Sequence, residues 1–375
     1  MKIPHVDYER TPFLIIWETT QACDLACHHC RASARPLRDL RELSTEEGES
    51  VLRQARAMGT PIFILSGGDP LKRPDLYHLI RYGADLGLRM ATIPAATDLL
   101  TEEIVRLLKA AGAGQMALSL DFPRPELHDG FRGVPGAFAK TMQAIEWAHR
   151  HGMPLQINTT LCRESAPYLP EMVELVKRLG VVFWEVFFLV PTGRGREMEG
   201  LTPAQFEAVF ERLHRLNREV PFVIKSTEGQ HYRRFVIRRE RQTARAEGDS
   251  SSADDRIEHV LARQRGINGG IGLSPKAVNS GKGFLFIDHQ GNICPSGFLP
   301  ISVGNVRTTS IAKAYRETGL FRDLRDPAKL KGKCGVCEFA DICGGSRARA
   351  YALSGDPLES APSCLYQPCL AAKSA

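Results

Sequence analysis

The chain has 375 residues, 43% of them hydrophobic and 25% charged, the balance of an ordinary soluble globular protein with room for one large domain and an appendage, or for two domains. No apolar run approaches the length of a membrane span, and Met1–Arg10 lacks the apolar core of a signal peptide. The expected place is the cytoplasm, where thiols stay reduced and cysteine clusters bind metal more often than they form disulfides. A net charge of +6 favours an anionic partner without choosing among nucleic acid, peptide and polycarboxylate, and a solvated basic face explains it equally.

From about Pro12 to Val220, apolar runs alternate with amphipathic stretches. The first run, Phe13–Trp17, leads into Cys23-Asp-Leu-Ala-Cys27-His-His-Cys30. Three thiolates leave one iron of a cubane 4Fe-4S cluster without a protein ligand, a position for a substrate or cofactor. With His28 or His29 as fourth donor, the same run would make a zinc knuckle. Ser44-Thr-Glu-Glu47 is a capping box with Val51, Leu52, Ala55 and Met58 behind it. The second strand, Pro61–Leu65, runs into Ser66-Gly-Gly-Asp-Pro70, where Gly67 and Gly68 allow backbone groups to approach a ligand and Asp69 can hold an ammonium. Further strands are expected at Leu88–Ile93, Gln115–Leu120, Leu155–Leu161 and Val181–Val190, most of them near-continuously apolar, as parallel strands buried on both faces are. Thr101 and Thr202-Pro-Ala-Gln205 open helices between and after them. Six β/α units predict an α/β fold, a partial (β/α)6 TIM-like barrel over residues 12–220. Active-site groups of such barrels sit at the carboxyl ends of strands, so the cysteine run and the Gly-Gly-Asp turn fall on one rim.

After the barrel the texture changes, and residues 221–282 read as a linker with an insertion. His231-Tyr-Arg-Arg234 begins a basic helix-like stretch, Glu240–Arg256 reads as a mobile insertion, and Ile267-Asn-Gly-Gly-Ile-Gly272 follows. Gly283–Cys294 predicts a β-hairpin turning at His289–Asn292 and opens a third region, 283–370. There, Cys334, Cys337, Cys343 and Cys364 give C-x2-C-x5-C-x20-C, which suits a closed iron–sulfur site or a zinc ribbon. Cys294 is the substitute ligand should one of the four fail, and Cys162 and Cys369 read as buried or incidental.

Together the two glycine and cysteine motifs resemble the radical S-adenosylmethionine (SAM) superfamily, and the later cysteines resemble its SPASM/twitch C-terminal extension. The resemblance implies that the open iron binds the amino and carboxylate groups of SAM. Reductive cleavage then yields methionine and a 5′-deoxyadenosyl radical that abstracts a substrate hydrogen. It implies Asp69, where the family carries glutamate, at the SAM amino group, directly or through water. It also implies His29 packed near the adenine, Ser119 on SAM, Lys140 at its carboxylate and Asn158 at the ribose, although an asparagine satisfied within the barrel is an equal reading. His128, Asp129 and Arg132 belong to the loop after Ser119, or form a salt-bridge set that orders it. Gly193 and Gly195 allow approach to the adenosine, or make a turn. A full SPASM extension has C-x2-C-x5-C-x3-C and two auxiliary clusters. Here Arg347 stands at the x3 position, which implies one auxiliary 4Fe-4S cluster on Cys334, Cys337, Cys343 and Cys364.

Cys343-Gly-Gly-Ser-Arg-Ala-Arg-Ala-Tyr351 with Gly355-Asp356 is similar to the haem d1 and alternative haem biosynthesis branch, which acts on acetate and propionate side chains of iron porphyrinoids. This implies an anionic tetrapyrrole substrate with Arg347, Arg349, His231, Arg233 and Arg234 as carboxylate clamps, or the same arginines neutralising the cluster region. It also implies an external one-electron donor such as flavodoxin or ferredoxin, and no nucleic-acid partner. Two other activities fit the extension: maturation of a ribosomally made peptide by thioether or carbon–carbon links, and dehydrogenation or decarboxylation of a sugar or other small molecule. Such peptide maturases often carry a small N-terminal peptide-binding winged helix; a first strand expected near residue 13 leaves no room for one, which counts against the peptide reading without excluding it. An iron–sulfur carrier has no use for an open iron.

Overall fold

A computed structural model describes residues 6–247 and 277–368. Nine strands among these residues form one sheet in the order β7-β6-β5-β4-β3-β2-β1-β8-β9. Strands β1 (Leu14–Glu18), β2 (Ile62–Ser66), β3 (Arg89–Thr92), β4 (Gln115–Ser119), β5 (Leu155–Leu161), β6 (Phe183–Phe188) and β7 (Val223–Thr227) follow one another in sequence and in space, each parallel to the next. Helices on the outer face make the crossovers, including α1 (Thr45–Ala57), α2 (Leu76–Asp85), α3 (Glu102–Ala110), α5 (Ala137–Arg150), α6 (Leu169–Arg178) and α7 (Pro203–Leu216). A short α4 (Pro125–Arg132) lies in the loop after β4. The result is a curled parallel half-barrel, with the expected six units present and further parallel strands on both sides.

Alternation along the strands separates core from cavity. Ile15, Trp17, Phe63 and Leu65 pack under the helices, while Leu14, Ile16 and Ile64 face the concave side. Gly48 lets α1 close on Trp17, because a Cβ there would sit 2.8 Å from the indole. The expected caps form: Ser44 and Glu47 bond reciprocally at α1, Thr202 and Gln205 at α7, and Thr101 accepts from Ile104 N–H at α3.

The sheet runs beyond residue 220, because β7 is half polar (Val-Ile-Lys-Ser-Thr) and gives no continuous apolar run. The expected hairpin forms from β8 (Phe284–Ile287) and β9 (Ile293–Cys294), and β8 pairs in parallel with β1, extending the same sheet. Helix α8 (His231–Glu247) carries the basic stretch and continues through the start of the expected insertion. The rest of that insertion, Ile267–Gly272 and Cys369 lie outside the described residues. Beyond the hairpin come α9 (Ile311–Glu317), α10 (Gly319–Arg325), α11 (Gly332–Gly335) and α12 (Arg347–Ser354).

Candidate functional site

The concave face encloses a cavity of about 970 Å³, at the top of the usual range for small-molecule sites, roughly 300–1,000 Å³. Cys23, Cys27 and Cys30 line it together with Gly67 and Gly68, so both motifs meet on one rim. The glycines are needed for contact with the cysteine loop itself. A Cβ on Gly68 would lie 2.5 Å from the Ala22 carbonyl, and one on Gly67 2.7 Å from that of Thr20. Gly68 and Asp69 N–H donate to those carbonyls of Thr20 and Ala22 at 2.7 and 2.6 Å. The turn after β6 grips the loop from the other side. Gly193 (φ +57°) has no room for a Cβ against the Arg31 carbonyl, and Arg194 donates from its backbone to Cys30 O and from Nε to Cys27 O. Arg194 was not singled out in the sequence; its contacts are to backbone carbonyls, which leave no mark on residue type.

Each of the three sulfurs accepts a hydrogen bond: Cys23 from Leu25 N–H at 3.4 Å, Cys30 from Ala34 N–H at 3.4 Å and Cys27 from Arg132 Nη1 at 3.6 Å. Arg132 also pairs with the buried Asp121. Burial pushes the Cys23 thiol up to about 12 and raises Cys27 despite the neighbouring guanidinium. The His29 ring stacks on Phe131 at 4.4 Å, and burial lowers its pKa to about 3, so it is neutral. Among the described residues, no three His, Cys, Asp or Glu side chains gather closely enough to hold a single metal ion.

A polar row crosses the cavity floor. Ser119, Asn158, Glu185 and Lys225 occupy matching register positions on β4, β5, β6 and β7. Gln156 Nε2 donates to Asn158 Oδ1 and Glu185 Oε2, both at 2.7 Å, and Lys225 pairs with Glu185 at 2.9 Å. Glu185, Lys225 and Gln156 were missed in the sequence, where Gln156 and Glu185 show only as polar residues interrupting a strand and Lys225 falls in a stretch read as linker. Two expected SAM contacts fall elsewhere. Asp69 is fully buried: it accepts from Leu71 N–H, Ala95 N–H and Thr97 Oγ1, bracing the loop after β3, and burial raises its pKa to about 6. Lys140, on the outer face of α5, pairs with Asp98 at 2.6 Å and does not line the cavity.

Cys334, Cys337, Cys343 and Cys364 line a second, small cavity of about 30 Å³. Phe339 and Tyr366, packed edge to face at 5.5 Å, help to enclose it. Cys343 Sγ accepts from Gly345 N–H at 3.4 Å, and Cys334 Sγ accepts from Ala361 N–H at 3.3 Å and from Arg347 Nη2 at 3.7 Å. Burial pushes the Cys343 thiol up to about 12 and Cys337 to about 11. Cys294, the expected substitute, is buried on β9 opposite Phe286 and does not line this cavity. Cys162 is buried against Ser165, outside both sites.

The model of the radical SAM superfamily matches residues 17–176. The AdoMet-dependent heme synthase of Methanosarcina barkeri is 40% identical over 357 residues, covering 95% of this chain and 97% of that protein. That of Oleidesulfovibrio alaskensis is also 40% identical, over 95% of this chain and 87% of its own. The chain belongs to the radical SAM superfamily. Streptococcus suis SuiB bound to S-adenosylmethionine shares the fold, with a TM-score of 0.70 at 17% identity over 95% of this chain and 78% of that one. As a radical SAM enzyme the protein uses a 4Fe-4S cluster and SAM, and the loop residues fit the cluster. Buried thiols at such raised pKa values stay protonated unless a metal deprotonates them, and N–H donors aimed at sulfur orient and stabilise thiolate ligands.

In this radical SAM enzyme, four of the five expected carboxylate clamps point away from the large cavity. Arg347 donates to the carbonyls of Pro357 and Glu359, and Arg349 to those of Phe188, Leu189 and Glu228. Arg234 pairs with Glu207, and His231 faces the small cavity. Only Arg233 lines the large one. His128 and Asp129 order the loop: His128 accepts from Asp121 N–H, and Asp129 from Gly136 and Phe138 N–H. No helix of the described residues is long and apolar enough to cross a membrane.

Proposed function

We propose that this radical SAM enzyme is a haem synthase that removes carboxylate from propionate side chains of an iron porphyrin. The observation that carries the reading is the 40% identity, end to end, with proteins of that name. The cavity supports it: the volume is enough for a large second molecule beside SAM, and apolar β-strand side chains such as Ile16 and Phe286 sit among cations. Lys225 on the floor, Arg233 on α8 and Lys282 before β8 are the side chains we assign to substrate carboxylates, since cationic donors recognise carboxylates strongly. Gly67, Gly68, Ser119, Asn158 and His29, which also line the cavity, are assigned to SAM.

When bound, the cluster and SAM supply a carbon-centred radical that abstracts hydrogen. The protein's part is to hold the side chain and exclude water; Leu14, Ile16, Ile64 and Phe284 make an apolar wall suited to that. A propionate that loses a hydrogen atom and then carbon dioxide becomes a vinyl group and gives up one electron. We assign Cys334, Cys337, Cys343 and Cys364 to a closed auxiliary 4Fe-4S cluster, a one-electron centre when occupied. The first electron comes from an external donor such as flavodoxin or ferredoxin, and reduced thiols at both sites suit the cytoplasm.

The test is anaerobic: reconstituted protein, SAM, a reductant and iron-coproporphyrin, with haem and 5′-deoxyadenosine followed by chromatography. Haem should appear in step with 5′-deoxyadenosine. SAM cleavage that iron-coproporphyrin and sirohaem derivatives leave unstimulated would rule out a tetrapyrrole and return peptides and sugars to consideration.

A further inference from the structure

His231, the first residue of α8, lies in the wall of the small cavity beside Cys334, Cys337, Cys343 and Cys364. It is fully buried, and neither ring nitrogen has a hydrogen-bond partner. Aromatic rings hold it in place: Phe206 lies 4.8 Å and Phe210 4.7 Å from its centroid. Burial, with Arg349, Arg234 and Lys333 nearby, keeps the ring neutral, so it carries one N–H and one lone pair. The Ser363 carbonyl is close enough to act on the ring but makes no hydrogen bond of ordinary geometry with it.

A buried N–H without an acceptor is rare enough to demand a cause. The charged side chains that share the cavity wall, Arg234 and Lys333, are donors, and the Tyr366 hydroxyl donates to Glu338. Beside the poorly aligned Ser363 carbonyl, the cysteine sulfurs are the acceptors that share this wall. The other donors at this site follow the same pattern, from Gly345 N–H, Ala361 N–H and Arg347 to cysteine sulfur.

We propose that His231 donates its ring N–H to a sulfur of the cluster held by Cys334, Cys337, Cys343 and Cys364, and thereby raises the reduction potential of that cluster. The inference rests on the auxiliary-cluster assignment above. Reduction adds negative charge to the sulfurs, so a donor stabilises the reduced form more than the oxidised one. A raised potential makes the centre an electron acceptor, which is what a substrate oxidised by loss of hydrogen and carbon dioxide requires.

The experiment is a redox titration followed by electron paramagnetic resonance, on full-length, anaerobically reconstituted protein carrying Cys23→Ala, Cys27→Ala and Cys30→Ala to silence the first cluster. His231→Phe keeps the aromatic packing and removes the donor; His231→Asn keeps an N–H. The Phe variant should hold its iron and show a lower midpoint potential, and the Asn variant should recover part of the shift. An unchanged potential in both variants, with iron retained, overturns the proposal. Loss of the auxiliary iron in both makes His231 a ligand and overturns the donor role. Parent protein with no cluster at this site refutes the underlying assignment, a failure visible before any histidine is changed.

Discussion

The two cysteine sites differ in donor number and in what they open onto, and the two differences agree. Cys23, Cys27 and Cys30 stand on the wall of a cavity of about 970 Å³; Cys334, Cys337, Cys343 and Cys364 surround about 30 Å³. A cluster one ligand short can take a small molecule only where one can reach it, and the closed auxiliary cluster proposed for the second site would exchange electrons and not atoms. Both loops feed backbone N–H groups to sulfur, yet each is held differently. The open loop is clamped from the barrel by Gly67, Gly68, Gly193 and Arg194, whereas the closed one is tied within its own region by Arg347 and Lys333.

The largest effect expected is at the open site. Cys27→Ala should reduce 5′-deoxyadenosine formation to the enzyme-free background, and retained cleavage in reconstituted protein would break the comparison outright. Next is Cys364→Ala, which should abolish haem formation while SAM cleavage stays largely intact, both read from one chromatogram. Loss of both activities together would give the second site a folding role and erase the distinction.

Much of this was legible in the sequence because it is local. Three cysteines within eight residues after an apolar strand, the Ser44–Glu47 and Thr202–Gln205 boxes and the apolar run Phe13–Trp17 all act over short spans. What escaped depends on partners far along the chain. The row Ser119, Asn158, Glu185, Lys225 exists only through strand register, and β8 meets β1 some 270 residues away in sequence. Arginine identity does not tell direction: Arg233 faces the cavity, while Arg347 and Arg349 satisfy carbonyls at chain turns that no local pattern announces. Asp69 shows the same limit, since the N–H of Ala95 and the hydroxyl of Thr97 claim its carboxylate.

Arg132 sharpens the comparison at the open site, because it joins Cys27 to the buried Asp121. Arg132→Met leaves Asp121 as an uncompensated buried charge, at a cost of about 3–5 kcal/mol measurable by chemical denaturation. The pH dependence should change sign. In the wild type, burial pushes the Asp121 carboxyl up, but Arg132, the largest of the opposing groups, together with His29, His128 and the Thr160 N–H holds the pKa below the ordinary value. That contribution is present above the unfolded carboxylate pKa and is lost as pH falls through the lowered one. In the variant the carboxyl is raised instead, so stability should fall as pH rises through the carboxylate range. A variant with wild-type pH dependence would mean that Arg132 is not what holds the charge.

The smallest effect expected lies at the closed site. Ser346 caps α12 by accepting from Arg349 N–H at 3.0 Å, and its hydroxyl donates to the buried Glu228. Burial raises the Glu228 pKa, and Ser346 and Arg349 pull it back only in part. A carboxyl raised in the folded state favours folding when protonated and loses that advantage as pH climbs through its folded value. Ser346→Ala removes the cap, worth about 1 kcal/mol, and one of the groups restraining Glu228. Its destabilisation should therefore be about 2 kcal/mol at neutral pH and smaller at pH 5, by denaturation at both values. SAM cleavage should not change, because Ser346 bonds Glu228 on the cavity wall and its own helix but makes no hydrogen bond to the Cys23–Cys30 loop; a matching fall in cleavage would mean that the two cysteine regions fold as one cooperative unit around α12.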